Sequence, residues 1–101
     1  MKFAILEDKK IVPVDDVITW ARWFDKSANR FVATDKLESG VKVSTIFLGF
    51  NHAMLPSHPP LMFETMIFGG KHDQYQERYS TYEEAEAGHQ AAVKLASSVY
   101  L

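Results

Sequence analysis

Two runs rich in β-branched and aromatic residues, Val41 to Phe50 and Leu61 to Phe68, flank a segment of residues 51 to 60 that holds three prolines and two histidines without any period. Both runs favour extended chain. The prolines exclude a helix between them, and a link of about ten residues is too short for the crossover that parallel strands need. The two runs are therefore expected to lie side by side, antiparallel, at the centre of a sheet. The link is a loop of a length that commonly carries function.

The remaining elements follow from this centre. Phe3 to Leu6 and Ile11 to Val14 are short apolar runs joined by the charged tetrad Glu7-Asp8-Lys9-Lys10, which reads as a hairpin. Pro13 lacks an amide donor and places the second of these strands at an edge. Asp15 or Asp16 can cap a helix over about residues 15 to 28, with Val17, Trp20, Ala21 and Phe24 at helical spacing. Trp20 is expected in the core and Trp23 toward its boundary. Arg30 to Lys36 is a third strand that turns at Ser39-Gly40 into the Val41 run, and Gly69-Gly70 ends the Leu61 run. A short last strand is possible at Gln76 to Tyr79. Thr81-Tyr82-Glu83-Glu84 has the form of a capping box, opening a helix over about residues 81 to 99. Its Ala85, Ala92, Ala96 and Val99, with Tyr82 and Val93, form a small-residue stripe that can lie close on a sheet. The fold expected is α+β: one domain over residues 1–101, a mostly antiparallel sheet of about five strands and two helices, in the order ββαβββα.

Apolar residues make up 47% of the chain, enough for a core, and the small size together with abundant aromatics leads us to expect a homodimer. With no cysteine, disulfides, thiolate metal sites and thiol nucleophiles are excluded. The N-terminal stretch is too short in apolar residues for a secretion signal, and no run approaches the span of a bilayer, so a cytoplasmic protein without membrane association is expected. Formal net charge is −2, with eleven Lys and Arg scattered among thirteen acids, which argues against nucleic acid as the partner.

Candidate functional residues are few. Glu64 shares its side of the strand with Met62, Met66 and Phe68 by alternation, so a carboxylate interrupts an apolar face and calls for a partner, such as Arg30, Arg78 or His52. His52, His58, His72 and His89 lack the tight spacing of zinc sites, and no metal or cofactor is expected. His89 shares the inner face of its helix with Ala85 and Tyr82 and is expected to be a structural residue. Ser44, Thr45 and Thr65 are generic hydroxyls, with no nucleophile elbow, P-loop or dinucleotide fingerprint around them. The candidate binding set is Asn51, His52, Glu64, His72 and Arg78.

As a set, Val43-Ser-Thr-Ile-Phe-Leu-Gly-Phe-Asn-His52, Pro60-Leu-Met-Phe-Glu-Thr-Met-Ile-Phe-Gly-Gly70 and Arg78-Tyr-Ser-Thr-Tyr-Glu-Glu-Ala-Glu-Ala-Gly-His89 resemble a family of short bacteriophage and prophage proteins without an assigned activity. The Trp20-Ala21-x-Trp23-Phe24 segment and Arg30 fit the same pattern. Where that pattern has Asp before the loop histidine, this chain has Asn51. The resemblance implies a small viral or proviral gene product: a non-enzymatic accessory that binds a host protein or a small-molecule ligand, as an inhibitor or sequestering factor acting on host defence. The alternatives are a small hydrolase acting on a nucleotide-like metabolite through His52 and Glu64, and a minor structural component of the phage particle.

Overall fold

The structure, a computed structural model, describes residues 3–26, 30–51 and 59–97. The polypeptide forms β1 (Phe3–Glu7), β2 (Lys10–Val14), α1 (Val17–Lys26), β3 (Phe31–Lys36), β4 (Lys42–Phe47), β5 (Phe63–Phe68), β6 (Gln76–Tyr79) and α2 (Tyr82–Ser97). This is the expected α+β fold in the expected order, with the short strand at Gln76–Tyr79 formed. Every strand pair is antiparallel. The strands divide into a hairpin, β1-β2, and a four-stranded meander, β3-β4-β5-β6. An isolated bridge between Phe3 and Phe50 and a 2.8 Å bond from the Ala4 amide to the Gly49 carbonyl stitch the two sheets together.

Local chemistry accounts for each junction. Only Asp8 and Lys9 of the charged tetrad form the hairpin turn, both with positive φ (52° and 67°), the backbone of a type I′ turn whose twist suits the flanking strands. Pro13 lies on β2, an edge strand as expected. Asp16 caps α1: its Oδ1 accepts from the Ile18 amide at 3.0 Å and its Oδ2 from the Thr19 hydroxyl at 2.8 Å. The Thr19 hydroxyl first, and then the Ile18 amide, hold the Asp16 carboxyl below its ordinary value. The capping box of α2 is complete. The Glu84 amide donates to Thr81 Oγ1 at 3.1 Å, and Glu84 Oε1 accepts from the amides of Thr81 at 3.0 Å and Ser80 at 3.1 Å.

α2 lies across one face of the meander, in contact with all four strands. Beneath it the core is layered by register. Phe47 pairs with Phe63 in one layer, with Ala4, Leu6, Met62 and Ala85; Val43 pairs with Ile67 in another, with Val41 and Ala92. Between these apolar layers runs the pair Thr45–Thr65, beneath His89 of α2.

Three placements differ from the sequence expectation. Met62 is buried in the core and does not share the side of Glu64, because regular alternation begins only at Phe63. The tryptophans exchange roles. Trp23 reaches the apolar core and meets Phe47 edge-on at 5.8 Å, whereas Trp20 belongs to a peripheral aromatic group with Phe3, Phe24 and Phe50. The Trp20 indole lies on Gly49, whose positive φ and lack of Cβ permit the approach; a Cβ there would meet Nε1 at 2.5 Å. Finally, β3 carries a bulge between Phe31 and Ala33, which turns Val32 toward the core.

Candidate functional site

Antiparallel pairing places opposite residues on the same face, so the register defines both surfaces of the meander. On the face away from α2, Phe31, Ile46, Glu64 and Arg78 form one row, Thr34, Ser44, Met66 and Gln76 a second, and Lys36, Lys42 and Phe68 a third. This face is open. Phe31 is 50% exposed and Phe68 42% exposed, while Ile46 and Met66 are half-buried. Glu64 lies within it, as the alternation of β5 requires, and has the partner that its surroundings demand: Arg78 Nε donates to Glu64 Oε2 at 2.9 Å, and Gln76 Nε2 donates to the same oxygen at 2.5 Å. Both donors stand on the neighbouring strand, so pairing of β5 with β6 assembles the trio. Ser44, Ile46, Glu64, Met66 and Phe68 line a shallow depression of about 50 Å³, far smaller than the several hundred Å³ of an ordinary small-ligand pocket.

The other sequence-selected residues lie elsewhere. Asn51 meets the segment leading into β5, its Oδ1 accepting from the Leu61 amide at 3.0 Å. His52 and His58 fall outside the described residues. His72 occupies the turn after Phe68, at the opposite end of β5 from Asn51; its ring Nε2 is buried and finds no hydrogen-bond partner among the described residues. Of the binding set, the structure brings together Glu64 and Arg78. Gly69-Gly70 serves the turn, where the Gly69 amide donates to Asp73 Oδ1 at 2.6 Å. Among the described residues, no group of three or more His, Asp or Glu is placed to hold a metal ion.

On the covered face a chain of polar side chains links β3, β4, β5 and α2. His89 Nε2 lies 2.7 Å from Asp35 Oδ2, His89 Nδ1 lies 2.6 Å from Thr45 Oγ1, and Thr45 Oγ1 lies 2.5 Å from Thr65 Oγ1. An imidazole donating Nε2–H to the Asp35 carboxylate can accept at Nδ1 from the Thr45 hydroxyl, which in turn accepts from Thr65, so each group is satisfied. The Tyr79 hydroxyl stands beside Thr65 without completing a bond of ordinary geometry. Burial raises the Tyr79 pKa, and the weaker influence of Thr65 opposes it. Tyr79 in turn presses on Gly88 of α2, where a Cβ would lie 2.2 Å from Tyr79 Oη.

A hydroxyl, an imidazole and a carboxylate in series have the connectivity of a nucleophile, base and orienter. Burial decides against that chemistry: Thr45, Thr65 and His89 are each 0% exposed, so no substrate reaches the hydroxyl. The chain instead fixes α2 on the sheet, in agreement with a structural His89. Sequence reasoning had no hold on Asp35, a residue of an exposed edge strand 54 positions before its histidine.

Two wider clefts, of about 530 and 590 Å³, lie along α1 and beside the C-terminal part of α2, and neither contains a sequence-selected residue. Among the described residues no helix is long and apolar enough to cross a membrane. Comparison with family models, curated proteins and solved structures returns no match.

Proposed function

We propose that this chain is a non-enzymatic bacteriophage or prophage accessory protein that works in the host cytoplasm by binding a component of host defence, and that the open face of the β3–β6 sheet is its binding surface. One observation carries the reading. The covered face has its polar groups sealed beneath α2, whereas the open face leaves Phe31 and Phe68 in solvent beside an ordered Glu64–Arg78–Gln76 trio. Exposed aromatic side chains among fixed polar groups are the composition of interaction surfaces. The hydrolase alternative needs Glu64 free to act on a substrate, yet its Oε2 is occupied by two donors and its depression is too small for a metabolite.

Site-specific photo-cross-linking inside bacterial cells tests this reading. A cross-linker replacing Thr34, exposed in the second row of the open face, yields a discrete adduct that Met66→Glu abolishes; the same cross-linker replacing Glu86, exposed on α2, yields none. Adducts from position 86 alone would refute the assignment of the face. Relief of a defended host by the expressed protein, lost in Met66→Glu, would connect the face to defence. Sedimentation tests the expected homodimer, and a single species near 11.5 kDa at micromolar concentration refutes it.

A further inference from the structure

Lys36 and Lys42 lie six residues apart in the sequence, and Arg78 lies 36 residues beyond Lys42. Folding gathers them. Among the described residues, the register places all three on the open face with a single carboxylate, Glu64, already held by Arg78. The face therefore carries a net charge of about +2 on a chain of formal net charge −2, which leaves the rest of the molecule at −4. At its margin, the Arg30 guanidinium stacks 4.9 Å from the rings of both Phe24 and Phe31, and its buried Nε has no hydrogen-bond acceptor among the described residues. Lys42 Nζ stands 6.0 Å from the Phe68 ring.

We infer, against the expectation drawn from the scattered charges of the sequence, that the host component bound by the open face is a single-stranded nucleic acid; this rests on the reading of that face as the binding surface. Charge selects among occupants. A second copy placed face to face would bring two cationic surfaces together, and like charges in an interface oppose association. A partner of negative charge is attracted, and the aromatic residues narrow its chemistry. Phe31 and Phe68 lie two strands and four residues apart, about 17 Å from strand spacing and rise, so each ring can stack a separate base. Cations then lie within reach of the phosphates at both rings: Arg30 beside Phe31, Lys42 beside Phe68. An antiparallel sheet with exposed aromatics and flanking cations is a general platform for unpaired bases, because stacking needs only the base face and phosphate neutralisation is indifferent to sequence. Duplex is a poorer fit, since its bases are stacked on one another and unavailable to these rings. The shallowness of the depression beside Glu64, about 50 Å³, fits as well, for stacking on a flat sheet needs no deep pocket.

The test is fluorescence anisotropy of labelled oligothymidylate and oligouridylate with the full chain, from about 50 to 200 mM salt. The oligonucleotides are expected to bind saturably at low salt and to weaken as salt rises. Phe68→Ala should weaken binding by about 5- to 150-fold, the loss of one stacked base. Lys42→Ala should reduce the log–log salt slope by about 0.7, the loss of one phosphate contact on a single strand. Lys94→Ala, exposed on α2 away from the face, should leave both quantities unchanged. Circular dichroism confirms folding of each variant, which the exposure of these side chains favours. No saturable binding of either oligonucleotide at low salt, equal affinity of Phe68→Ala and the parent, or full displacement by polyglutamate would overturn the inference. If the oligonucleotides fail while the Thr34 cross-linker still gives its Met66-dependent adduct, the face stands as a binding surface for another partner and only the nucleic acid falls.

Discussion

Gly88→Ala should destabilise the protein even though alanine is the better helix former, and the contact with Tyr79 is the reason. In the middle of an exposed helix this substitution is worth about 0.8–1 kcal/mol in favour of folding. Here an added Cβ would sit 2.2 Å from Cζ and Oη of Tyr79 and 2.3 Å from Cε1, more than 1 Å inside ordinary contact, so the ring must retreat. Tyr79 is packed against the Phe47–Phe63 layer, which restricts that retreat. Inserting a methyl into such packing costs about 1–3 kcal/mol, giving a net destabilisation of about 0–2 kcal/mol once the helix preference is counted. The sign should reverse where the ring is gone: in a Tyr79→Ala background, Gly88→Ala should stabilise by about 0.8–1 kcal/mol. The double-mutant cycle, followed by denaturant unfolding with tryptophan fluorescence, should therefore give a coupling of about 1–3 kcal/mol at constant m-value. An equal stabilisation in both backgrounds would refute the reasoning.

His89→Leu removes both bonds of the imidazole and should cost about 1–3 kcal/mol in denaturant unfolding while leaving binding per folded molecule unchanged, since the chain lies under α2 and away from the open face. Glu64→Gln keeps the shape and loses the charge facing Arg78; with Arg78 a third exposed, the expected loss is about 0.5–1.5 kcal/mol, read as a lower denaturation midpoint. The depressed pKa of Asp16 gives stability that is complete above its ordinary value of 3.8 and lost as pH falls through the folded value, so Asp16→Asn should flatten the acid limb of a melting-temperature profile. Tyr79 has the opposite sign: with its pKa raised above 10.0, its contribution is complete below pH 10 and lost as pH rises through the folded value, and Tyr79→Phe should remove that alkaline loss.

Short-range chemistry was legible in the sequence. The capping box at Thr81 and Glu84, the Asp16 cap and the Ser39-Gly40 turn depend on residues within a few positions of one another, and each appears where the pattern places it. The need of Glu64 for a partner was legible too, because alternation set it among apolar neighbours, and Arg78 was among the partners expected. What escaped depends on register across strands. Asp35 reads as one more acid on a polar strand until pairing with Val43 sets it beneath α2. Thr45 and Thr65 read as generic hydroxyls until β4 and β5 align them. Scattered lysines become a cationic face by the same route. The division into two sheets was hidden as well, since the Phe3–Phe50 bridge joins segments whose patterns carry no mark of each other.

The meander also bears on the order in which this chain assembles. Each ladder joins strands that follow one another in sequence, so sheet formation needs only local closures, the widest spanning residues 48–62 between β4 and β5, and such local topologies reach the native state quickly. The Phe3–Phe50 bridge and helix α2 are the exceptions. His89 must find Thr45 across 44 residues and Asp35 across 54, and it can do so only on strands already in register. Docking of α2 is therefore a late event, and substitutions at His89 should speed unfolding while barely slowing refolding, with φ-values near zero.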